Sequence, residues 1–124
     1  MEGYQLLDVS AVDGLTIARL TVREIEETKI QDLAKEFSSL VEQVGAGTLV
    51  VDLGVVSFLT SSSIGVLIAM LKRIRAHGGQ MKLCGLLPEI RELFTITQID
   101  RVFEIHASVE DALPNATQRQ TGSG

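Results

Sequence analysis

The chain has 124 residues, of which 45% are hydrophobic and 22% charged, and its formal net charge is −5. Those figures suit one soluble globular domain with a single core and exclude a disordered or fibrous chain. No stretch concentrates lysine and arginine as a nucleic-acid footprint requires, the apolar run SIGVLIAML is about half the ~20 residues of a bilayer crossing, and the lone Cys84 permits neither an internal disulfide nor a thiolate metal cluster.

In chain order, Tyr4 to Ser10 and Leu15 to Leu20 are short apolar and β-branched runs, and Asp13-Gly14 between them is a strong hairpin signal. After Glu24-Ile25-Glu26, Thr28 is placed to cap a helix whose apolar face is Ile30, Leu33, Phe37, Leu40, Val41 and Val44, with Gly45 and Gly47 beyond its end. TLVVDL, residues 48–53, is a continuous apolar run of the kind a central strand covered on both faces shows. A connection through GVVSF leads to TSSS and a second helix with Ile64, Leu67, Ile68, Leu71 and Ile74 on its core stripe, ended by Gly78-Gly79. QMKLCGL is the next strand, where Cys84 reads as a small buried hydrophobe, and Pro88 suits the first turn of a third helix carrying Ile90, Leu93 and Phe94. RVFEIH is a last strand, Ser108 with Asp111 caps a short final helix, and PNATQRQTGSG reads as a frayed polar tail.

Strands alternating with helices after an opening hairpin predict an α/β domain. The expectation is a mixed, mostly parallel central sheet of about five strands with about four helices, in one domain over residues 1–113 with a flexible tail at 114–124. The N-terminus lacks a basic segment followed by an apolar one, so a cytoplasmic protein that is neither secreted nor inserted in a membrane is expected.

The hydroxyl cluster Thr60, Ser61, Ser62, Ser63 admits three readings. A nucleophilic serine needs the G-x-S-x-G elbow and acid and histidine partners; no glycine precedes the cluster, and neither His77 nor His106 is placed near it by the sequence. With no phosphate-binding glycine loop and no metal-ligand cluster either, a catalytic site, a metal site and a cofactor are not expected. Alternatively the serines only cap a helix, a task for Ser61 or Ser62. The third reading is phosphorylation, since a phosphoryl group of about −1.5 to −2 charges is tolerated at a helix N-terminus and read out as surface electrostatics. Along the second helix Gly65, Ala69, Arg73 and Ala76 project opposite the core stripe, flanked by Val66 and Met70, and this strip either admits a partner's backbone or forms a further packing layer within the domain.

From TLVVDL through ASVEDAL the sequence resembles the STAS domain of bacterial anti-sigma-factor antagonists, closely over residues 48–113 and more loosely before. In that family a strand ending DL leads through an apolar-aromatic pair into D-S-[ST]-G-[LI]-G, a helix, GG, a strand, a proline-initiated helix and a final strand. The resemblance implies a non-enzymatic module that binds an anti-sigma factor that is also a serine kinase, is switched off by serine phosphorylation and is restored by a PP2C-type phosphatase. By position Ser61 matches the phosphorylated serine, Ser62 the following Ser/Thr, Ile64 the branched residue and Gly65 the last glycine, while Thr60 replaces the motif aspartate and Ser63 its first glycine. The implied partner surface takes in Thr60, Ser62, Ser63, Gly65, Val66, Ala69, Met70 and Arg73, with Glu26 at the place of the family's G-E-L-D aspartate; a homodimer through the outward strip is also compatible. Physics alone does not choose among Ser61, Ser62, Ser63 and Thr60. The runner-up is a constitutive STAS interaction or scaffold subunit, and a third reading, nucleotide binding near Asp52 at the strand ends, has no phosphate motif behind it.

Overall fold

The computed structural model describes residues 4–12 and 14–113, so Asp13 and the tail at 114–124 lie outside the described residues. Strands β1 (Leu7–Val12) and β2 (Leu15–Leu20) form the opening hairpin, with Leu7 opposite Leu20 and Val12 opposite Leu15. The strand begins at Leu7 rather than Tyr4 because the amides of Gln5 and Leu6 are held instead by the carboxylate of Glu36 at 3.1–3.2 Å. Strands β4 (Thr48–Asp52), β6 (Gln80–Cys84) and β7 (Glu104–His106) complete a five-stranded sheet in the order β1-β2-β4-β6-β7, all parallel beyond the hairpin. The expected α/β architecture is therefore the observed one, with TLVVD in the middle of the sheet.

Four helices join these strands: α1 (Ile30–Val44), α2 (Ser61–Ala76), α3 (Pro88–Ile96) and the short α4 (Val109–Ala112). Leu33, Phe37, Leu40, Val41 and Val44 of α1 meet Ile64, Leu67, Leu71 and Ile74 of α2 over Leu49, Val51, Met81 and Leu83 of the sheet. Each fully buried leucine there contributes about 1.5–3 kcal/mol of transfer free energy. Because side chains alternate along a strand, Val50 and Cys84 point to the opposite face, where Ala112 of α4 covers them. Lys82, buried on that face, donates to the carbonyl of Ala112 at 3.0 Å and pairs with Glu104 at 3.4 Å, which fixes α4 to the sheet.

Three local expectations are corrected. Thr28 caps nothing: it lies in a 3-10 turn at Glu27–Lys29, and α1 starts at Ile30 with Lys29 as its N-cap residue. The last strand is confined to Glu104–His106, because residues 99–101 form another 3-10 turn that directs Phe103 into the core against Phe94. A second, two-stranded sheet, β3 (Glu24–Ile25) with β5 (Phe58–Leu59), was not anticipated; each strand is two residues long, too short for any periodic pattern to register.

Candidate functional site

The hydroxyl cluster stands where the central strand hands over to α2. At the end of β4 the Asp52 carboxylate accepts from the Gly54 amide at 2.8 Å and pairs with Arg19 at 3.4 Å, which turns the chain sharply after the strand. Gly85 is required opposite it: its φ is +71°, and a Cβ there would stand 2.8 Å from the same carboxylate oxygen. Cys84, just before that glycine, has its thiol pushed up to about 12, first by burial and then by the neighbouring Asp52 carboxylate, so the neutral thiol is inert at ordinary pH.

Beyond the turn, the amides of Ser57 and Phe58 donate to the carbonyl of Arg23 at 2.7 and 3.3 Å, and the β3–β5 pairing continues the stitch. Glu24 is registered with Phe58 and Ile25 with Leu59. One residue further along both segments stand Glu26 and Thr60. The small sheet thus brings Glu26 to the start of α2, a proximity that residues 34 apart in sequence conceal.

Thr60, in extended conformation, is the N-cap of α2: its Oγ1 accepts from the Ser63 amide at 3.2 Å and its carbonyl accepts from the Ile64 amide at 3.2 Å. The Ser63 hydroxyl turns back and donates to the Thr60 carbonyl at 2.7 Å, while Thr60 Oγ1 donates to the Ser63 hydroxyl at 3.3 Å. The capping task therefore falls to Thr60 and Ser63, not to Ser61 or Ser62 as the sequence reading assigned it. Threonine is an effective N-cap, so the replacement of the motif aspartate keeps the cap while removing its charge.

Ser63 is fully buried and its hydroxyl engaged, which removes it from the phosphate acceptors and from the partner surface. Thr60 is half-buried with its hydroxyl in use. Ser61 and Ser62, at the first two positions of α2, are exposed, and among the described residues their hydroxyls engage no partner. A phosphoryl group on Ser61 would meet unpaired N–H groups of the first helical turn, which favours the anion by about 0.3–1 kcal/mol and disturbs no core contact.

The outward strip of α2 is also revised. Met70 is only 2% exposed, and Val66 is half-buried, because both face α1 rather than solvent. Arg73 reaches across to donate to the Ser38 hydroxyl of α1 at 2.6 Å. Much of the strip is thus the inter-helix seam; Gly65 and Ala69 remain exposed. His77 closes the far end of α2 with a ring nitrogen 2.8 Å from the Arg73 carbonyl, about 24 Å of helix away from Ser61, and His106 contacts Glu104 at 2.6 Å. Neither histidine ring hydrogen-bonds to the serines.

Sequence reasoning missed the exposed apolar residues of the segment that leads into the serines. Val55 and Phe58 are 48% and 49% exposed, and Arg23, Gly54, Val55, Ser57 and Leu87 line a depression beside them. The signal was present in GVVSF, an apolar stretch in a connection too short to form a strand of the main sheet.

The STAS domain family model matches residues 7–112. This chain belongs to the STAS domain family. BtrV of Bordetella bronchiseptica, which carries the name of an anti-sigma factor antagonist, is 29% identical to this STAS domain over 106 residues, 86% of this chain and 90% of that protein. An anti-sigma-factor antagonist (STAS) domain protein from Planctomyces limnophilus has the same fold with a TM-score of 0.76 and 25% identity, over 86% of this chain and 92% of that one. SpoIIAA, an anti-sigma factor antagonist, matches in its unphosphorylated form with a TM-score of 0.71 and 19% identity over 90% of this chain and 96% of that one; a phosphorylated form of SpoIIAA from Bacillus matches at 0.65 and 19%, over 89% and 98%. The STAS fold and its likeness to anti-sigma factor antagonists agree with what the motif resemblance implied. Among the described residues no helix is long and apolar enough to cross a membrane.

Proposed function

We propose that this STAS domain is a cytoplasmic, non-enzymatic anti-sigma-factor antagonist that binds an anti-sigma factor with serine-kinase activity while Ser61 is free, and releases it when Ser61 is phosphorylated. The observation that carries the reading is the division of labour in the cluster: Thr60 and Ser63 satisfy the helix cap, and Ser61 is left exposed with its hydroxyl unengaged. Glu26, Val55 and Phe58 around it supply a mixed charged and apolar rim for a partner, together with Thr60, Ser62, Gly65 and Ala69. A dianion placed at the centre of such a contact that lowers binding by about 3–4 kcal/mol through repulsion and desolvation reduces affinity by two to three powers of ten. A PP2C-type phosphatase completes the cycle in this reading.

The test is peptide mass spectrometry of the protein isolated from its native cells, with and without phosphatase treatment. A phosphatase-sensitive phosphoryl group on Ser61 is the expected result. Its absence under growth and stress alike overturns the switch and leaves the second reading, a constitutive STAS interaction subunit, which the uncharged Thr60 at the motif aspartate's position favours. Ser61→Asp separates the two further: the switch predicts loss of partner capture with folding intact, and the constitutive reading predicts capture unchanged.

A further inference from the structure

Helix α2 differs from the rest of the surface in charge. The chain is acidic overall, with a net charge of −5, yet residues 61–76 contain no aspartate or glutamate and carry Lys72, Arg73 and Arg75, all exposed. Among the described residues none of the three has an ion-pair partner; Arg73 instead donates to Ser38 across the helix seam. The other long helices lean the opposite way, α1 with three acidic groups against one lysine and α3 with two against one arginine.

Beside this basic end runs a groove between α1 and α2 of about 120 Å³. Its floor is apolar, made of the buried side chains of Phe37, Val41 and Met70, and its walls are kept low by the methyl groups of Ala34 and Ala69. That volume is close to the ~150 Å³ cavity known to accept a benzene-sized group, so it accommodates one branched aliphatic side chain. Arg73 stands at the end of the groove, while Lys72, its chain neighbour, projects about 100° away from it around the helix, toward solvent. On the α1 side the outward neighbours Lys35 and Glu42 cancel.

We infer that this groove docks an acidic amphipathic segment of a partner protein, which seats an aliphatic side chain over Met70 and Val41 and sets a carboxylate against Arg73. The inference rests on the reading of α2 as a partner-facing helix and adds the chemistry of the segment that lies on it. Apolar contact supplies the anchor, and the charges supply orientation and attraction that salt screens.

The test uses two synthetic helical peptides of about sixteen residues with leucine at positions i, i+3, i+4 and i+7, one flanked by glutamates and the other by lysines. Amide shift mapping on the full chain, with binding measured by fluorescence polarisation at low and high salt, reports site and affinity. The expected result is binding of the acidic peptide alone, shifts centred on Ala34, Val66 and Ala69, at least tenfold weaker affinity for Arg73→Glu, and loss of binding for Ala69→Trp, which fills the groove from an exposed helical position. Equal binding of the basic peptide, shifts centred on Val55 and Phe58 instead, no shifts at all, or a groove covered by a second copy of the chain in sedimentation runs without peptide would each overturn it. The assay does not depend on phosphate at Ser61, so its failure and the failure of the switch are read separately.

Discussion

Removing the Thr60 hydroxyl while leaving the three serines in place tests the assignment of the helix cap, and through it the availability of Ser61. In Thr60→Ala the Ser63 amide loses its 3.2 Å acceptor, and this amide belongs to a residue with no solvent exposure. The Ser63 hydroxyl keeps its 2.7 Å bond to the Thr60 carbonyl, so the loss is confined to the cap itself. N-cap deletions cost about 0.5–2 kcal/mol, and burial of the orphaned N–H places this one at about 1–2 kcal/mol. With an unfolding entropy of about 2.1 cal/mol/K per residue, each kcal/mol lowers Tm of a chain this long by about 4 °C. Ser61→Ala, which removes a hydroxyl without a partner, changes stability by less than about 0.5 kcal/mol. Thr60→Asp, which restores the motif carboxylate, stays near wild type because aspartate caps as well. Urea unfolding followed by circular dichroism measures all three. A Ser61→Ala cost equal to or larger than that of Thr60→Ala would refute the argument, since Ser61 would then be the capping hydroxyl.

Three further outcomes follow from the same structure. Cys84 reacts with a thiol reagent only on unfolding; and because its thiol stands at about 12 when folded against an ordinary value of 9.0, stability falls as pH rises above 9, where the unfolded thiol ionises first, a slope that urea midpoints should show to be weaker in Cys84→Ala. Glu104 is held below the usual carboxylate range first by its hydrogen bond from His106 and then by the Lys82 charge, so its contribution is present above the ordinary value of 4.5 and is lost as pH falls through its lowered folded value; urea midpoints of Glu104→Gln between pH 3 and 6 should therefore show a shallower acid limb than wild type. Glu36→Gln weakens the clamp on the Gln5 and Leu6 amides by about 1–2 kcal/mol and accelerates exchange of the Leu6 amide, whereas unchanged exchange there would show that the β1–β2 hairpin alone holds the segment.

Much of the architecture could be read along the chain because its signals are local. The 3.6-residue recurrence from Leu33 to Val44, the uninterrupted TLVVD, Gly78-Gly79 after α2 and Pro88 at the first turn of α3 each act within a few residues, and each element stands where that pattern puts it. The match of TSSS to the family motif was equally a property of sequence order.

What the sequence left undecided are choices between neighbours that look alike in one dimension. Four adjacent hydroxyls are equivalent as letters, and only the extended backbone at Thr60 decides that its oxygen, rather than that of Ser61, faces the Ser63 amide. Met70 and Ala69 both lie off the core stripe, but the approach of α1 buries the first and leaves the second at the groove. Glu26 comes to the serines through a two-residue parallel pairing between segments more than thirty residues apart, and no local propensity encodes such a contact. The sequence by itself determined which elements form and in what order, because hydrogen-bond period and side-chain pattern are short-range; which hydroxyl is free, which face is covered and what stands beside Ser61 were decided by packing, which depends on residues the chain brings together only when it folds.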